Sequence, residues 1–197
     1  MKALCAAVLV LAASPAWAQQ RTEVALLAGY TTSGGIESTA LGIQDLAIDG
    51  GFTWGLQGGH FLTPHWGIEL SWLRHESALA FTAAGDPVTL FELDASQLHG
   101  SVAYQFGADG GRLRPFLLAG LGMTTFNATD LDAETKLSFA LGAGLKWFPS
   151  ERFGVRIQGR YDPTFLNDGS SDFCDPFGFC QSWLHQLDLN AGVVVRF

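Results

Sequence analysis

Apolar and polar residues alternate with a period of two along most of this 197-residue chain. Between Leu137 and Trp147, large apolar residues and alanine occupy every second position, and lysine, serine and glycine occupy most of the others. The same alternation runs over 153–161 and 187–197. Successive side chains of a strand point to opposite faces, so this period predicts strands with one apolar and one polar face.

Five further segments repeat the pattern, over 24–30, 52–56, 66–72, 98–106 and 113–126. In the last of these, Leu117 and Leu121 are expected on the apolar face, but Phe116 and Leu118 make the assignment ambiguous. The connections alternate between short turns, at 63–65, 107–112 and 149–151, and long links, at 32–50, 75–92, 127–135 and 162–181. Short turns at one end and long loops at the other are typical of a transmembrane barrel.

The composition favours a membrane barrel over a soluble one that is apolar inside. Only 15% of residues are charged, against roughly 25% in average soluble domains. The polar face mixes glycine, alanine and serine with charged residues, as suits a narrow lumen, and aromatic residues collect at both ends of the segments. We therefore predict an all-β, eight-stranded antiparallel transmembrane β-barrel with short periplasmic turns and long extracellular loops. Trp54, Leu141 and Val195 should then face outward, with Arg156 and Gln158 inside.

The first 18 residues read as a secretory signal peptide, which leaves residues 19–197 as the barrel domain. Lys2 supplies the charged start, an apolar stretch follows, and Ala16 and Ala18 supply the small residues that signal peptidase reads. The net charge of −8 argues against a nucleic-acid partner, because phosphate binding requires a basic surface.

Two cysteines remain after the predicted signal, Cys174 and Cys180. An even pair in an exported chain predicts a disulfide. Two thiolates without a second matching pair are a poor zinc pattern, and we expect no metal site, no cofactor site and no catalytic residue.

An eight-stranded barrel is only wide enough for its own side chains, so the inward polar residues should form a plug rather than an ion pathway. Buried charges must be paired, and we expect Glu69 and Asp188 to pair with arginine or lysine residues. The predicted lumen network consists of Glu69, Gln97, His99, Lys136, Lys146, Arg156, Gln158, Arg160, Asp188 and Arg196.

The long links and the start of the fourth predicted strand carry 14 of the 19 acidic residues, among them Asp94, Glu134 and Asp162, and these segments hold no lysine or arginine. The simplest interpretation is a set of well-solvated loops, and calcium binding by 167–172 is an alternative that lacks the full EF-hand spacing. Arg74 lies two positions after Trp72, so it is expected on the same outward face, near the end of the strand that carries the long loops. It is a candidate contact for a lipopolysaccharide phosphate, with simple snorkelling as the alternative.

The stretches Phe61–Leu70, Arg114–Gly122 and Val193–Phe197 resemble the small eight-stranded outer-membrane barrels of Gram-negative bacteria, of the OmpA transmembrane-domain and opacity-protein type. The resemblance covers the whole chain after residue 18. It implies an outer-membrane location, contact with lipid and lipopolysaccharide, and recognition by the outer-membrane assembly machinery. Val193, Val195 and Phe197 resemble the signal by which that machinery recognises its clients.

The resemblance implies less about activity, because such families include adhesins and structural proteins. We expect a non-enzymatic barrel with a structural or surface-interaction role. An adhesin with a defined, still unknown surface ligand is the main alternative. His99-Gly100-Ser101 resembles the His-x-Ser spacing of lipid A deacylases, but both side chains should face the lumen, which disfavours catalysis.

Overall fold

The computed structural model describes residues 22–33, 46–48, 50–83, 86–107, 111–128, 133–165 and 183–197. These residues form one sheet of eleven strands. No helix among them is long and apolar enough to cross a membrane. The strands are β1 Thr22–Ser33, β2 Leu46–Ile48, β3 Gly51–Phe61, β4 Trp66–Ala83, β5 Asp86–Gln105, β6 Leu113–Ala128, β7 Glu134–Trp147, β8 Phe153–Tyr161, β9 Thr164–Phe165, β10 Trp183–Leu184 and β11 Gln186–Arg196.

Eight long strands close into an antiparallel barrel in the order β1, β3, β4, β5, β6, β7, β8 and β11. Closure is complete because β11 pairs with both β8 and β1. The short strands β9 and β10 pair with each other beyond Pro163 and His185, and β2 pairs with β4. The predicted eight-stranded antiparallel barrel is confirmed.

The register of the strands fixes the width of the barrel. A row of paired residues that starts at Thr22 passes through every strand and returns to β1 at Thr32, ten residues further along. Such a stagger tilts the strands by roughly 35–45° to the barrel axis, and eight strands then enclose only enough space for side chains. We call the end with the short turns the turn end, and the opposite end the loop end.

The apolar face points outward and the polar face points inward. Leu141 is 53% exposed, whereas Arg156 and Gln158 are 2% and 1% exposed. Trp54 and Val195 are half-buried on the outward side. The ambiguous segment also resolves as expected, since Leu117 and Leu121 face outward and the other two bulky residues, Phe116 and Leu118, are buried inside.

One predicted long loop is almost entirely strand, and a second is shorter than predicted. The link predicted at 75–92 is wrong, because β4 continues to Ala83 and β5 begins at Asp86. The link predicted at 127–135 is likewise shortened, since β6 reaches Ala128 and β7 begins at Glu134. Outside the hydrocarbon both faces of a strand meet water, so no alternation is needed and the sequence pattern does not reveal the extension.

Candidate functional site

The barrel interior is lined with buried polar and charged side chains. The structure places all ten of the predicted lumen residues inside the barrel, each with at most 6% of its surface exposed. They lie in two layers, one near the turn end and one near the loop end, because they occupy different positions along their strands.

A network of five charged residues, which we call the turn-end network, links the walls of the barrel: Glu23, Glu69, Lys146, Arg156 and Arg196. Arg156 donates from Nη1 and Nη2 to the two carboxylate oxygens of Glu69, both at 2.9 Å. Lys146 Nζ lies 3.2 Å from Glu69 and 2.5 Å from Glu23. Arg196 completes the network through Glu23 Oε1 at 3.1 Å. Each carboxylate therefore meets two cations, which compensates its burial.

Aromatic rings support the cations of this network. The Lys146 ammonium lies 4.6 Å from the centre of the Phe61 ring, and the Arg156 guanidinium lies 4.1 Å from that of Phe116. Arg196 lies 3.6 Å from the centre of the Phe148 ring. These distances allow cation–π attraction in addition to the ion pairs, so the cations are held from two sides.

In the loop-end layer, the partners of Asp188 differ from those that the sequence predicts. This carboxylate accepts a hydrogen bond from the Thr31 hydroxyl and lies 3.6 Å from His75 Nδ1, and it forms no ion pair with an arginine or lysine whose position the structure describes, contrary to expectation. Thr53 Oγ1 lies 2.8 Å from the same imidazole nitrogen. Asp188 is therefore held by hydroxyl and imidazole groups.

His99 has two hydrogen-bond partners that define its protonation. Arg160 Nη2 lies 3.1 Å from His99 Nδ1, and Ser138 Oγ lies 2.9 Å from Nε2. A guanidinium only donates, so Nδ1 must accept, and the proton of the neutral ring sits on Nε2, where it is donated to Ser138. The serine beside His99 Nε2 is thus Ser138 rather than Ser101, and this ring nitrogen holds a proton instead of accepting one.

Three buried residues were missed or misplaced by sequence reasoning. Glu23 and His75 are buried inside the barrel, although Glu23 was not assigned to the lumen and His75 was placed in a loop. Asp162 was counted among the surface acids, but it is fully buried and lies 3.0 Å from Arg160 Nη2. Strand parity could have found Glu23, since its neighbour Val24 faces outward. The burial of Asp162 could not be predicted without knowing that β9 continues the barrel wall beyond β8.

Several interactions cross the lumen between opposite walls. In the ring of eight strands β4 lies opposite β8, and β5 lies opposite β11. Glu69 and Arg156 join the first pair of walls near the turn end, and Ser71 and Arg160 join them again at 3.1 Å. Gln97 donates to Gln186 across the second pair at 3.0 Å. Side chains thus tie the walls together at successive heights.

The loop end carries charge pairs on its rim. Arg74 is on the outward face, its side chain is 41% exposed, and it forms an ion pair with Asp94. Lys136 Nζ lies 2.6 Å from Glu134. Two of the acidic residues assigned to the loops are thus paired with cations. Among the residues with described positions, no three His, Cys, Asp or Glu side chains are grouped so as to hold a metal ion.

Several predicted features fall outside the described residues or at the end of the chain. The predicted signal 1–18, Cys174, Cys180 and the segment 167–172 lie outside the described residues. Val193 and Phe197 face outward, and the backbone of Phe197 donates to Thr22 O at 2.8 Å. That bond extends the seam that closes the barrel between β1 and β11.

Comparison with known proteins supports the architecture. The family described as "Outer membrane protein beta-barrel domain" matches residues 3–197. A comparison with curated proteins finds no significant match.

Among solved structures, the chain resembles Neisserial surface protein A, with 14% identity, a TM-score of 0.64, and coverage of 89% of this chain and 97% of that one. It also resembles OprG from Pseudomonas aeruginosa, with 12% identity, a TM-score of 0.55, and 90% and 96% coverage. The N-terminal β-barrel domain of Pseudomonas aeruginosa OprF gives 18% identity, a TM-score of 0.51, and 90% and 98% coverage.

Proposed function

Because the chain belongs to the outer membrane protein beta-barrel domain family and lies in the outer membrane, we propose that it acts as a closed, non-enzymatic barrel that presents surface loops. In this role the barrel is a scaffold, and its contacts with other molecules are made at the loop end and along the lipid-facing wall. The lumen is a structural plug rather than an ion pathway.

The bidentate ion pair between Glu69 and Arg156 carries this proposal. It crosses the lumen between opposite walls, and Lys146 contacts the same carboxylate from β7. An ion moving along the axis would have to displace these side chains and leave buried charges without partners, which costs several kcal/mol. The second crossing by Gln97 and Gln186 lies nearer the loop end and reinforces the barrier.

Planar-bilayer recordings of the purified, folded protein test this proposal directly. We expect no large, stable open-channel currents from the unmodified barrel. A Glu69→Ala variant should show more frequent current events, because it removes the acceptor that holds Arg156 and Lys146. Large and stable currents from the unmodified protein would overturn the plug.

A surface adhesin is the second candidate, and the extended β4–β5 hairpin favours it. These strands pair from Trp66 and Tyr104 up to Ala83 and Asp86, whereas β6 ends its pairing with β5 at Leu93. Beyond that level no residue that the structure describes pairs with the β6-facing edge of β5, and β2 pairs with β4 on the other side of the hairpin. An exposed strand edge can pair with an extended peptide, which gives an adhesin a means of binding.

Deleting residues 78–91 and joining the shortened strands by a two-residue turn separates the two candidates. If the protein is an adhesin, binding to its surface partner should be lost while the barrel still shows heat-modifiable gel migration. Retained binding by the folded, shortened protein would exclude the hairpin as the binding element.

Three further assignments are part of the same proposal. We expect a disulfide between Cys174 and Cys180, which would stiffen the last loop, and cleavage after residue 18 during export. We also assign recognition by the outer-membrane assembly machinery to the outward row of Val193, Val195 and Phe197. Mass measurement of the mature protein, with and without reduction, tests the first two assignments.

A further inference from the structure

A long groove runs obliquely across the outside of the barrel. Its volume is about 1200 Å³, and it extends from Thr22 and His60 near the turn end to Pro163 and Trp183 near the loop end. Between these ends it crosses β3, β4, β5, β6 and β7, and the outward residues along it are apolar. The groove is therefore continuous with the surface that this barrel presents to hydrocarbon.

Two glycines deepen the groove because they have no side chain, whereas the residues paired with them on the neighbouring strands are leucines. Gly58 on β3 and Gly100 on β5 are both paired with Leu70 of β4, so they lie on either side of it in one row. A Cβ atom at Gly58 would meet nothing within 4 Å, and one at Gly100 would meet only Leu121 O at 4.0 Å. Both positions therefore open to the outside and leave space for a slender guest.

The walls of the groove suit a hydrocarbon chain. Ile68, Leu70 and Leu121 are 53%, 60% and 59% exposed and stand beside the glycine positions. An unfilled groove would deprive these side chains of van der Waals partners, whereas a chain lying in it contacts them on several sides. A flat protein surface could not reach the floor, because Leu70 stands between the two glycines.

The turn-end mouth of the groove carries two exposed polar side chains that face outward. At the turn end, Thr22 Oγ1 and His60 Nδ1 are 3.0 Å apart and exposed. A hydroxyl and an imidazole can donate hydrogen bonds to phosphate oxygens. The mouth near the loop end is instead bordered by Phe139, Pro163 and Trp183.

The apolar length of the groove beyond the polar mouth fits one lipid chain. From His60 on β3 to Ala119 on β6 the paired row crosses three strand spacings, or about 14 Å. Because the row runs at right angles to strands tilted by roughly 35–45°, it rises about 8–10 Å from the turn end towards the loop end. That rise stays within the ~15 Å of hydrocarbon that one leaflet provides. The turn end faces the periplasm in this family of barrels, so the leaflet concerned is the periplasmic one.

We propose that this groove binds one acyl chain of a periplasmic-leaflet phospholipid, whose phosphate lies beside Thr22 and His60. The bound chain fills the space above Gly58 and Gly100 and covers the side chain of Leu70. The site is distinct from the lumen and does not depend on the role of the loops.

The test compares lipid retained by the full-length protein after gentle detergent extraction from outer membranes, measured by native mass spectrometry. The variant Gly58→Leu/Gly100→Leu fills the groove from positions where the added side chains meet open space. Gly159→Leu is the matched control: it is the same substitution at an outward glycine, where a Cβ meets Leu189 Cδ2 at 3.5 Å, in a separate groove of about 460 Å³. Heat-modifiable migration shows that each variant is folded.

We expect the unmodified protein and Gly159→Leu to retain one phospholipid, and the double variant to retain about tenfold less. His60→Leu should lower retention several-fold without filling the groove. Equal retention by the double variant would overturn the proposal, as would an equal loss in the Gly159→Leu control. Retention of lipopolysaccharide in place of phospholipid, or of a second copy of the chain, would also overturn it.

Discussion

Arg156 and Glu69 stand on opposite walls of the barrel and meet in the middle of the lumen. Their strands, β8 and β4, are separated by three strands in either direction around the ring, yet Nη1 and Nη2 of the guanidinium both reach the carboxylate at 2.9 Å. A long arginine and a glutamate together span the width that ten residues of stagger impose. The combined length of the two side chains therefore matches the internal width of the barrel, and the pair blocks the lumen.

Removing the carboxylate of this pair should strongly destabilise the barrel. In Glu69→Ala, Arg156 loses its acidic partner and Lys146 keeps only Glu23. Breaking a buried pair from one side typically costs about 3–5 kcal/mol, whereas replacing both partners by apolar residues can be nearly neutral. Urea unfolding in lipid vesicles should show this loss for Glu69→Ala and a smaller one for Glu69→Leu/Arg156→Leu.

Glu151→Gln, at an exposed acid in a short turn, is the control for that measurement and should lie within about 0.5 kcal/mol of the unmodified protein. A loss below 1 kcal/mol for Glu69→Ala would mean that the turn-end network does not hold the barrel together.

The sequence predicts the membrane-spanning part of this fold because hydrocarbon demands a strict pattern. Wherever a strand crosses lipid, every second residue must be apolar, so the outward positions of Leu141, Ile157 and Val193 can be read directly from the chain. The inward positions follow from the same parity. This is why the sequence also identifies Arg156, Gln158 and Arg160 as inward residues.

The pairing of those inward residues could not be predicted in the same way. Parity tells which face of the strand a residue occupies, but it does not tell the height of that residue along the barrel axis. Asp188 meets His75 and Thr31 because the stagger of the strands brings these three residues to the same height. Asp162 illustrates a second limit. It follows the alternating segment and resembles a loop acid, but the wall continues past it to Thr164.

Gly120 should be intolerant of a side chain, although its neighbour Gly100 is not. A Cβ atom at Gly120 would lie 2.2 Å from Ser101 Oγ and 2.5 Å from Gly100 O. The second contact is with backbone, which cannot move aside cheaply. We expect Gly120→Ala to cost about 1–3 kcal/mol in urea unfolding, and Gly100→Ala to cost less than about 0.5 kcal/mol. Equal stabilities would show that the two strands can separate locally.

His99 should carry its proton on Nε2, which leaves it unable to activate a serine. Arg160 donates to Nδ1, and Nε2 faces Ser138. Nitrogen-15 NMR of the folded protein should therefore report a neutral Nε2–H ring, and Arg160→Met should release Nδ1 and disturb that preference. The purified protein should release no fatty acid from lipopolysaccharide. Release that disappears in Ser101→Ala or Ser138→Ala would show instead that the barrel is an enzyme.

Arg74 is the outward cation through which lipopolysaccharide binding can be tested at the loop end. Its guanidinium is paired with Asp94, and both side chains are partly exposed. An exposed pair of this kind is worth about 0.2–1 kcal/mol, so a phosphate can compete for the arginine. If Arg74 contacts lipopolysaccharide, Arg74→Gln should lower the amount that remains bound after detergent extraction by about two- to fivefold. Asp94→Asn should raise it, because the guanidinium loses its internal partner. Glu151→Gln at the turn end should leave the amount of bound lipopolysaccharide unchanged. If Asp94→Asn instead lowers the amount of bound lipopolysaccharide, Arg74 has a purely structural role.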